Sequence, residues 1–287
     1  MKDSIIIATR GSALALVQAN QILDACRAAF PDKAFEIQTF KTTGDKNLTA
    51  SLANPDKSLP KGLFTKELEV ALLNGEADLA VHSSKDLPAK IVDGLEIAGY
   101  LPREAPHDVL ILREDVDAPA KIATGSPRRR EQLKERFPEV EWIEMRGNVE
   151  TRLNKIRDGY ADGTLLAAAG LNRLEIHEWE NLTFHALPIE EVVPAPGQGA
   201  IAVQCRAGEA ENLPASIFCD VTRRAVDAEK NLMSYLGGGC HSCIGAYLDQ
   251  DHLLVFHEDT RHYTFPVTTA DEAEIAEISA QLRKAAG

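Results

Sequence analysis

Apolar positions recur with two periods along the first 170 residues, and their alternation predicts an α/β chain. Residues 4–8 make a short apolar run of strand length. Leu14, Val17, Ile22 and Ala25 follow near helical spacing and predict a helix over 13–30, stopped by Pro31. A strand is expected over 34–39, a helix over 63–74 ended by Gly75, and a strand over 79–82 that runs into Ser83-Ser84-Lys85-Asp86-Leu87-Pro88. Residues 41–61 carry turn residues and lysines with little periodicity, and are expected to form a mobile loop. The succession restarts near Pro106. A strand over 122–124 leads to Ser126 as N-cap and Pro127 in the first turn of a helix reaching Phe137. A strand over 142–145, a helix over 149–158 and a strand over 164–168 come next. This order predicts parallel-rich sheets flanked by helices on both faces.

Both units open alike, with Ala8-Thr9-Arg10-Gly11-Ser12 after one strand and Ala123-Thr124-Gly125-Ser126 after the other, as two related lobes would. After Cys205 the pattern changes. A helix over 220–236 precedes Gly237-Gly238-Gly239-Cys240; strands over 244–248, 253–257 and 263–267 and a helix over 271–284 complete an α+β module.

A chain of 287 residues with 44% hydrophobic content can bury two or three cores. It has no apolar run near the ~20 residues that span a bilayer. Met1-Lys2-Asp3-Ser4-Ile5 does not read as a signal peptide, so a cytoplasmic protein without a membrane partner is expected. The net charge of −13 argues against nucleic acid as a partner. Charge is nevertheless uneven: residues 121–157 hold ten Lys or Arg against six Glu. Glu131 and Glu135 beside Lys134 fit a solvated helix face. Arg128, Arg146 and Arg152 fall instead at strand-to-helix corners, where solvated charges have no reason to gather.

Ligands of parallel α/β sheets bind beyond the carboxyl ends of the strands, where helix N-termini attract anions. Four corners here are polar: Thr9-Arg10-Gly11-Ser12, Ser83-Ser84-Lys85-Asp86, Thr124-Gly125-Ser126-Pro127-Arg128-Arg129 and Arg146-Gly147-Asn148, with Arg152 and Arg173 close behind. Lobes so lined suit a ligand with many carboxylates or phosphates, which arginine grips through paired hydrogen bonds. Neither a Walker pattern nor G-x-G-x-x-G occurs, so a nucleotide is not the first expectation. Asp86 is the exception among the cations: it is either an ordinary partner of Lys85 or an arginine, or a carboxylate that stabilises a cation in a water-poor cleft.

Cys240 follows three glycines, whose backbone freedom can present a thiol to a cleft. Cys240-x-x-Cys243 could also be half a zinc site with His241, but Cys26, Cys205 and Cys219 stand singly and no second C-x-x-C exists. A redox pair would open a helix after a strand, and here a helix precedes and a strand follows. Five cysteines are too sparse for a disulfide framework. An anchoring or nucleophilic thiol, without a metal, is the leading reading.

In order along the chain, Ile7-Ala8-Thr9-Arg10-Gly11-Ser12, Thr42-Thr43-Gly44-Asp45-Lys46, Lys61-Gly62-Leu63-Phe64, Val81-His82-Ser83-Ser84-Lys85-Asp86-Leu87-Pro88, Arg128-Arg129, Arg146-Gly147-Asn148-Val149, Ala168-Ala169-Gly170-Leu171, Gly197-Gln198-Gly199-Ala200 and Gly238-Gly239-Cys240 resemble the hydroxymethylbilane synthase, or porphobilinogen deaminase, family. The resemblance implies two lobes like those of type II periplasmic binding proteins and a small α+β domain. Lobe 1 would be discontinuous, over 1–101 and 195–214; lobe 2 would cover 106–190 and the C-terminal domain 217–287. It also implies a monomeric transferase of tetrapyrrole (haem) biosynthesis that condenses four porphobilinogen molecules head to tail into hydroxymethylbilane, releasing ammonia. Cys240 would hold a dipyrromethane cofactor through a thioether. Asp86 would be the catalytic carboxylate, stabilising the azafulvene-like cation and contacting pyrrole N–H groups. Ser83, Lys85, Thr124, Ser126, Arg128, Arg129 and Arg152 would bind the cofactor's side chains; Arg10, Ser12, Gln18, Arg146 and Arg173 would favour substrate. Lys57 and Lys61 would lie on the loop over the cleft.

Three features depart from the family's pattern. Cys243 replaces a usual proline and is either neutral or able to oxidise a bare Cys240 before the cofactor is loaded. Gly125 stands where many relatives carry serine, and the chain after Cys240 is short. A non-catalytic two-lobed protein for a small carboxylate or oxyanion would share the cationic corners, yet it gives no role to Cys240 or to Asp86.

Overall fold

The computed structural model describes residues 4–42, 64–237 and 243–285. The chain begins with β1 (Ser4–Arg10), α1 (Ala13–Ala29), β2 (Ala34–Phe40), α2 (Lys66–Leu73) and β3 (Leu79–Ser83). A 3-10 turn (Ser84–Asp86) and β4 (Leu95–Tyr100) follow. Next come β5 (Asp108–Arg113), β6 (Lys121–Ala123), α3 (Pro127–Leu133), β7 (Glu141–Ile143), α4 (Val149–Arg157), β8 (Gly163–Ala167), α5 (Ala168–Arg173) and β9 (Leu182–Ala186). The chain ends with β10 (Ile201–Arg206), α6 (Asp220–Tyr235), β11 (Gly245–Asp249), β12 (His252–His257), β13 (Arg261–Pro266) and α7 (Glu272–Ala285).

Two five-stranded sheets share one plan. The first runs β2-β1-β3-β10-β4 and the second β7-β6-β8-β5-β9. In each, the three strands at one end are parallel, and the fourth is antiparallel to both its neighbours. The antiparallel strand is the one entered from the other sheet: β5 after β4, and β10 after β9. The echo at Ala8-Thr9 and Ala123-Thr124 thus marks equivalent strands. Each sheet is buried on both faces. In the first, Ile22 and Cys26 of α1 cover one side and Leu68 and Leu72 of α2 the other. In the second, Leu153 and Ile156 of α4 lie opposite Leu133 of α3. The β11-β12-β13 meander packs on α6 and α7 around Leu232, Val255 and Ile278.

The apolar pattern placed the parallel strands and their helices but passed over β4, β5, β9 and β10, whose pairing depends on the two crossings between sheets. The helix expected to reach Phe137 ends at Leu133; a last bond from the Phe137 N–H to Leu133 O (3.0 Å) closes it before Pro138, which disfavours helix in the residue ahead of it. Ala168, expected as the end of a strand, opens α5.

The crossings lie side by side, with the Glu104 N–H on Gly199 O (3.1 Å) and Arg103 Nε donating to Gln198 O (2.8 Å). The fully buried Glu229 of α6 ties them to the meander. Its carboxylate accepts from Arg103 Nη1 (2.6 Å) and Nη2 (3.1 Å), the Gly197 N–H (2.7 Å) and the Leu248 N–H (3.0 Å). Gly197 has φ +77°, and a Cβ there would stand 2.5 Å from Ser84 Oγ, so only glycine lets the crossing pass this close to the end of β3.

Candidate active site

The polar corners meet where the parallel strands of both sheets end. Arg10 ends β1, and its guanidinium stacks 4.3 Å from the Phe64 ring centre. Ser12 caps α1 by accepting from the Ala15 N–H. Gln18, one turn further, exchanges hydrogen bonds of 2.9 and 3.1 Å with Ser83 at the tip of β3. Lys85 and Asp86 occupy the 3-10 turn that follows, pinned by the Ser84 N–H on Ala200 O (2.9 Å). Across the cleft, Thr124 Oγ1 accepts from the Ser126 N–H, and Ser126 caps α3 by accepting from the Arg129 N–H. Asn148 caps α4, bringing Arg152 round so that its Nε donates to Gly147 O (2.8 Å). Arg173, at the end of α5, donates to Gly199 O (2.7 Å) on the crossing.

At the centre lies Asp108, the first residue of β5 and wholly buried. Its carboxylate accepts from Arg128 Nη2 (2.7 Å), Arg129 Nη2 (2.7 Å) and Gln198 Nε2 (2.8 Å). Burial by itself would raise its pKa; the two guanidiniums outweigh that and hold the carboxyl well below the usual range. Arg128 gives its other terminal nitrogen to Val193 O (2.6 Å), and Arg129 gives its own to Leu165 O (2.8 Å). Gln198 also accepts from Lys85 Nζ at 3.5 Å, so one buried amide links the turn of Asp86 to the arginine corner.

Positive charge exceeds negative charge in this space. Lys85 keeps some solvent contact, yet burial and the charge of Arg129 lower its pKa to about 8 against the pull of Asp86 and Asp108. Burial and the charges of Arg129 and Arg146 lower Arg152 to about 10, with Asp86 opposing. Burial also lowers Arg146, whose Nε and Nη2 have no hydrogen-bond partner; Arg129 Nε has none either. The charge of Asp86 is felt by Lys85, Arg152 and buried His82, while His82 shares a 3.0 Å hydrogen bond with Gln204 and falls to about 4 through burial. Depressed cations with open donors stabilise an incoming polyanion, because its charge restores what desolvation removed.

Sequence reasoning missed Asp108, Arg103 and Glu229. Asp108 opens an apolar strand like any polar boundary residue, and only the fold brings Arg128, Arg129 and Gln198 onto it. Glu131 and Glu135, read as helix-face charges, pair with Arg261 of β13 (3.3 and 2.9 Å), although Lys134 still reaches Glu131 at 4.0 Å. A Cβ at Gly125 would lie 3.3 Å from Met145 O and 3.4 Å from Glu144 Oε2, so a serine there would need its neighbours to yield slightly. Cys240, Lys57 and Lys61, with the loop expected over 41–61 beyond residue 42, lie outside the described residues. Cys243 is half-buried, and burial together with Glu258 and Glu131 pushes its thiol up to about 11, leaving little of the thiolate that disulfide chemistry needs.

The family described as porphobilinogen deaminase, dipyromethane cofactor binding domain, matches residues 5–213. The porphobilinogen deaminase of Desulforudis audaxviator is 44% identical over 253 residues, covering 86% of this chain and 80% of that one. The porphobilinogen deaminase of Clostridioides difficile is 39% identical over 269 residues, covering 90% and 87%. Among solved structures, the periplasmic VFT2 domain of Bordetella pertussis BvgS overlays with a TM-score of 0.44 at 17% identity, over 73% of this chain and 83% of that one.

Proposed function

Because the chain belongs to the porphobilinogen deaminase family, we propose that the cationic cleft around Asp86 is where it joins porphobilinogen units, with Asp86 as the catalytic carboxylate. The activity is that of a hydroxymethylbilane synthase, a transferase (EC 2.5.1.61) of haem biosynthesis. Four porphobilinogen molecules are condensed on a dipyrromethane primer, with release of ammonia and linear hydroxymethylbilane.

The residues present fit such a primer, a group rich in carboxylates. Arg129 and Arg146 hold buried donors without partners, and Lys85 and Arg152 are cations depressed by desolvation. When bound, the dipyrromethane supplies the growing end to which substrate is joined. Cys240 would anchor it; Ser83, Lys85, Thr124, Ser126, Arg129 and Arg152 would hold its side chains, with Arg128 fixing the corner through Asp108 and Val193. Arg10, Ser12, Gln18, Arg146 and Arg173 would receive the acetate and propionate groups of substrate, and Lys57 and Lys61 would cover the cleft. Lobe 1 is taken as 1–101 with 195–214, lobe 2 as 106–190 and the cofactor domain as 217–287. No helix among the described residues is long and apolar enough to cross a membrane, and a cytoplasmic location accords with that.

The observation that carries this reading is the turn Ser84–Asp86. It sets one carboxylate where Lys85, Arg152 and His82 all feel its charge. As ammonia leaves porphobilinogen, positive charge develops on the pyrrole; a carboxylate in a desolvated cleft opposes that charge and accepts the ring N–H. A protein that merely binds an oxyanion has no use for an acid at this point. Asp86→Asn holoenzyme, its cofactor verified by intact mass and by a peptide map of the Cys240 segment, should keep its melting temperature and lose about 10²- to 10⁴-fold in kcat. A kcat within about threefold of wild type would remove Asp86 from the chemistry.

A further inference from the structure

The turn bearing Asp86 is held from below by a residue of another domain. Lys230 of α6 is 8% exposed, and its Nζ donates to Leu87 O at 2.7 Å. Leu87 caps the turn: its N–H closes onto Ser84 O at 3.1 Å, and its side chain packs with Tyr100, Ala202 and Val226, the last also on α6. The next residue is Pro88, so the Leu87–Pro88 peptide has no N–H and its carbonyl oxygen is the only hydrogen-bonding group it offers.

Packing alone does not secure this turn. A half-open pocket of about 280 Å³ lies beside the bond, walled by Leu87, Pro88, Tyr100, Asp227, Lys230 and Asn231. Burying an ammonium there is unfavourable for a group that only fills space, and an apolar side chain of the same length would fill it better. The helix end of the brace is fixed, because the neighbouring Glu229 accepts four hydrogen bonds from the crossings and the meander. The same helix ends at Tyr235, Gly237 turns the chain with φ +72°, and Cys240 follows three residues later.

We infer that Lys230 is a positioning residue for the condensation: its ammonium holds the turn of Asp86 in register with the helix that precedes Cys240 along the chain. The inference rests on Asp86 being the catalytic carboxylate. Losing the brace leaves the charges of the cleft in place but lets the turn move, and misplacement by about 1 Å can cost on the order of 10²-fold in rate.

The test compares holoenzymes of Lys230→Met, Lys230→Arg and Asp86→Asn, each with its cofactor counted by intact mass. Lys230→Met should lose about ten- to a hundredfold in kcat with KM changed less than about twofold. Its melting temperature and cofactor loading should hold, while hydrogen exchange in the peptide spanning 84–87 speeds up and other lobe 1 peptides stay as they were. Lys230→Arg, which still donates, should restore most of kcat and the slow exchange. A Lys230→Met enzyme with normal kcat beside an inactive Asp86→Asn enzyme sinks the brace and spares Asp86; an active Asp86→Asn enzyme sinks both. A joint loss of kcat, KM and melting temperature that arginine does not rescue would mean that Lys230 only supports the fold. Should Lys230→Met fail to fold, Lys230→Gln, too short to reach Leu87, is judged by the same readouts.

Discussion

Asp108→Asn tests the centre of the site. The carboxylate takes three hydrogen bonds, two of them from guanidiniums, and has no solvent exposure. Asparagine keeps the shape but has one acceptor oxygen, and it turns an NH₂ toward a donor. Two buried guanidiniums are then left without a counter-charge. Removing one partner of such a buried cluster costs about 3–5 kcal/mol. At roughly 2 °C per kcal/mol for a chain of this size, the melting temperature near neutral pH should fall by about 6–10 °C. The pH dependence has a definite sign. The folded-state pKa of Asp108 is depressed, so its stabilisation is complete above the unfolded value of about 3.9 and is lost as pH falls through the folded value. The variant should therefore show a flatter acid limb below about pH 4. Sulfate, an anion for the uncompensated pair, should recover part of the loss. Thermal melts followed by circular dichroism, at neutral and acid pH with and without sulfate, read all three effects. A neutral-pH melting temperature within about 2 °C of wild type would refute the reasoning, since no relaxation hides two buried unpaired cations so cheaply.

Two further tests probe the cleft and the joint. Burial, then Arg129, lowers Lys85 to about 8 in the empty cleft, so the rate at which cofactor-free protein loads its primer should decline as pH rises above that value; Lys85→Arg should abolish the decline, and an identical limb in both would exclude Lys85 as a contact for the primer. For stability the sign is opposite: the charged lysine is unfavourable below about 8, and stability recovers as pH rises from there toward the free-chain value of about 10.4. Glu229→Gln removes an acceptor from four converging donors and should destabilise by about 3 kcal/mol or more, with a double-mutant cycle against Arg103→Met giving a coupling above about 1 kcal/mol. Additive losses in denaturant melts would show that the two side chains do not act as a pair.

Much of the fold was legible because its signals are local. Alternating periods located β1, α1, β3 and α4, while Ser126 and Asn148 cap helices as their residue types and positions imply. The strands passed over are those whose partners come from far along the chain: β10 pairs with β3 across more than a hundred residues, and no local pattern encodes that. The site divides the same way. Arg10, Lys85, Asp86, Arg129 and Arg152 stood out as charges at corners, where a solvated face would not gather them. Lys230 did not, because a lysine on an amphipathic helix reads as an exposed charge until the fold sets Leu87 O against it.

Residue order alone therefore determined the α/β class, the two matched lobes, the cationic corners and the family, each written in neighbouring side chains. Tertiary structure decided which charges are spent within the protein and which remain for a ligand. Asp108 takes up Arg128 and part of Arg129, while Arg146 and Arg129 Nε keep open donors. That division depends on burial and on partners twenty or more residues apart, and desolvation, which sets the strength of every one of these charges, exists only once the chain has closed around them.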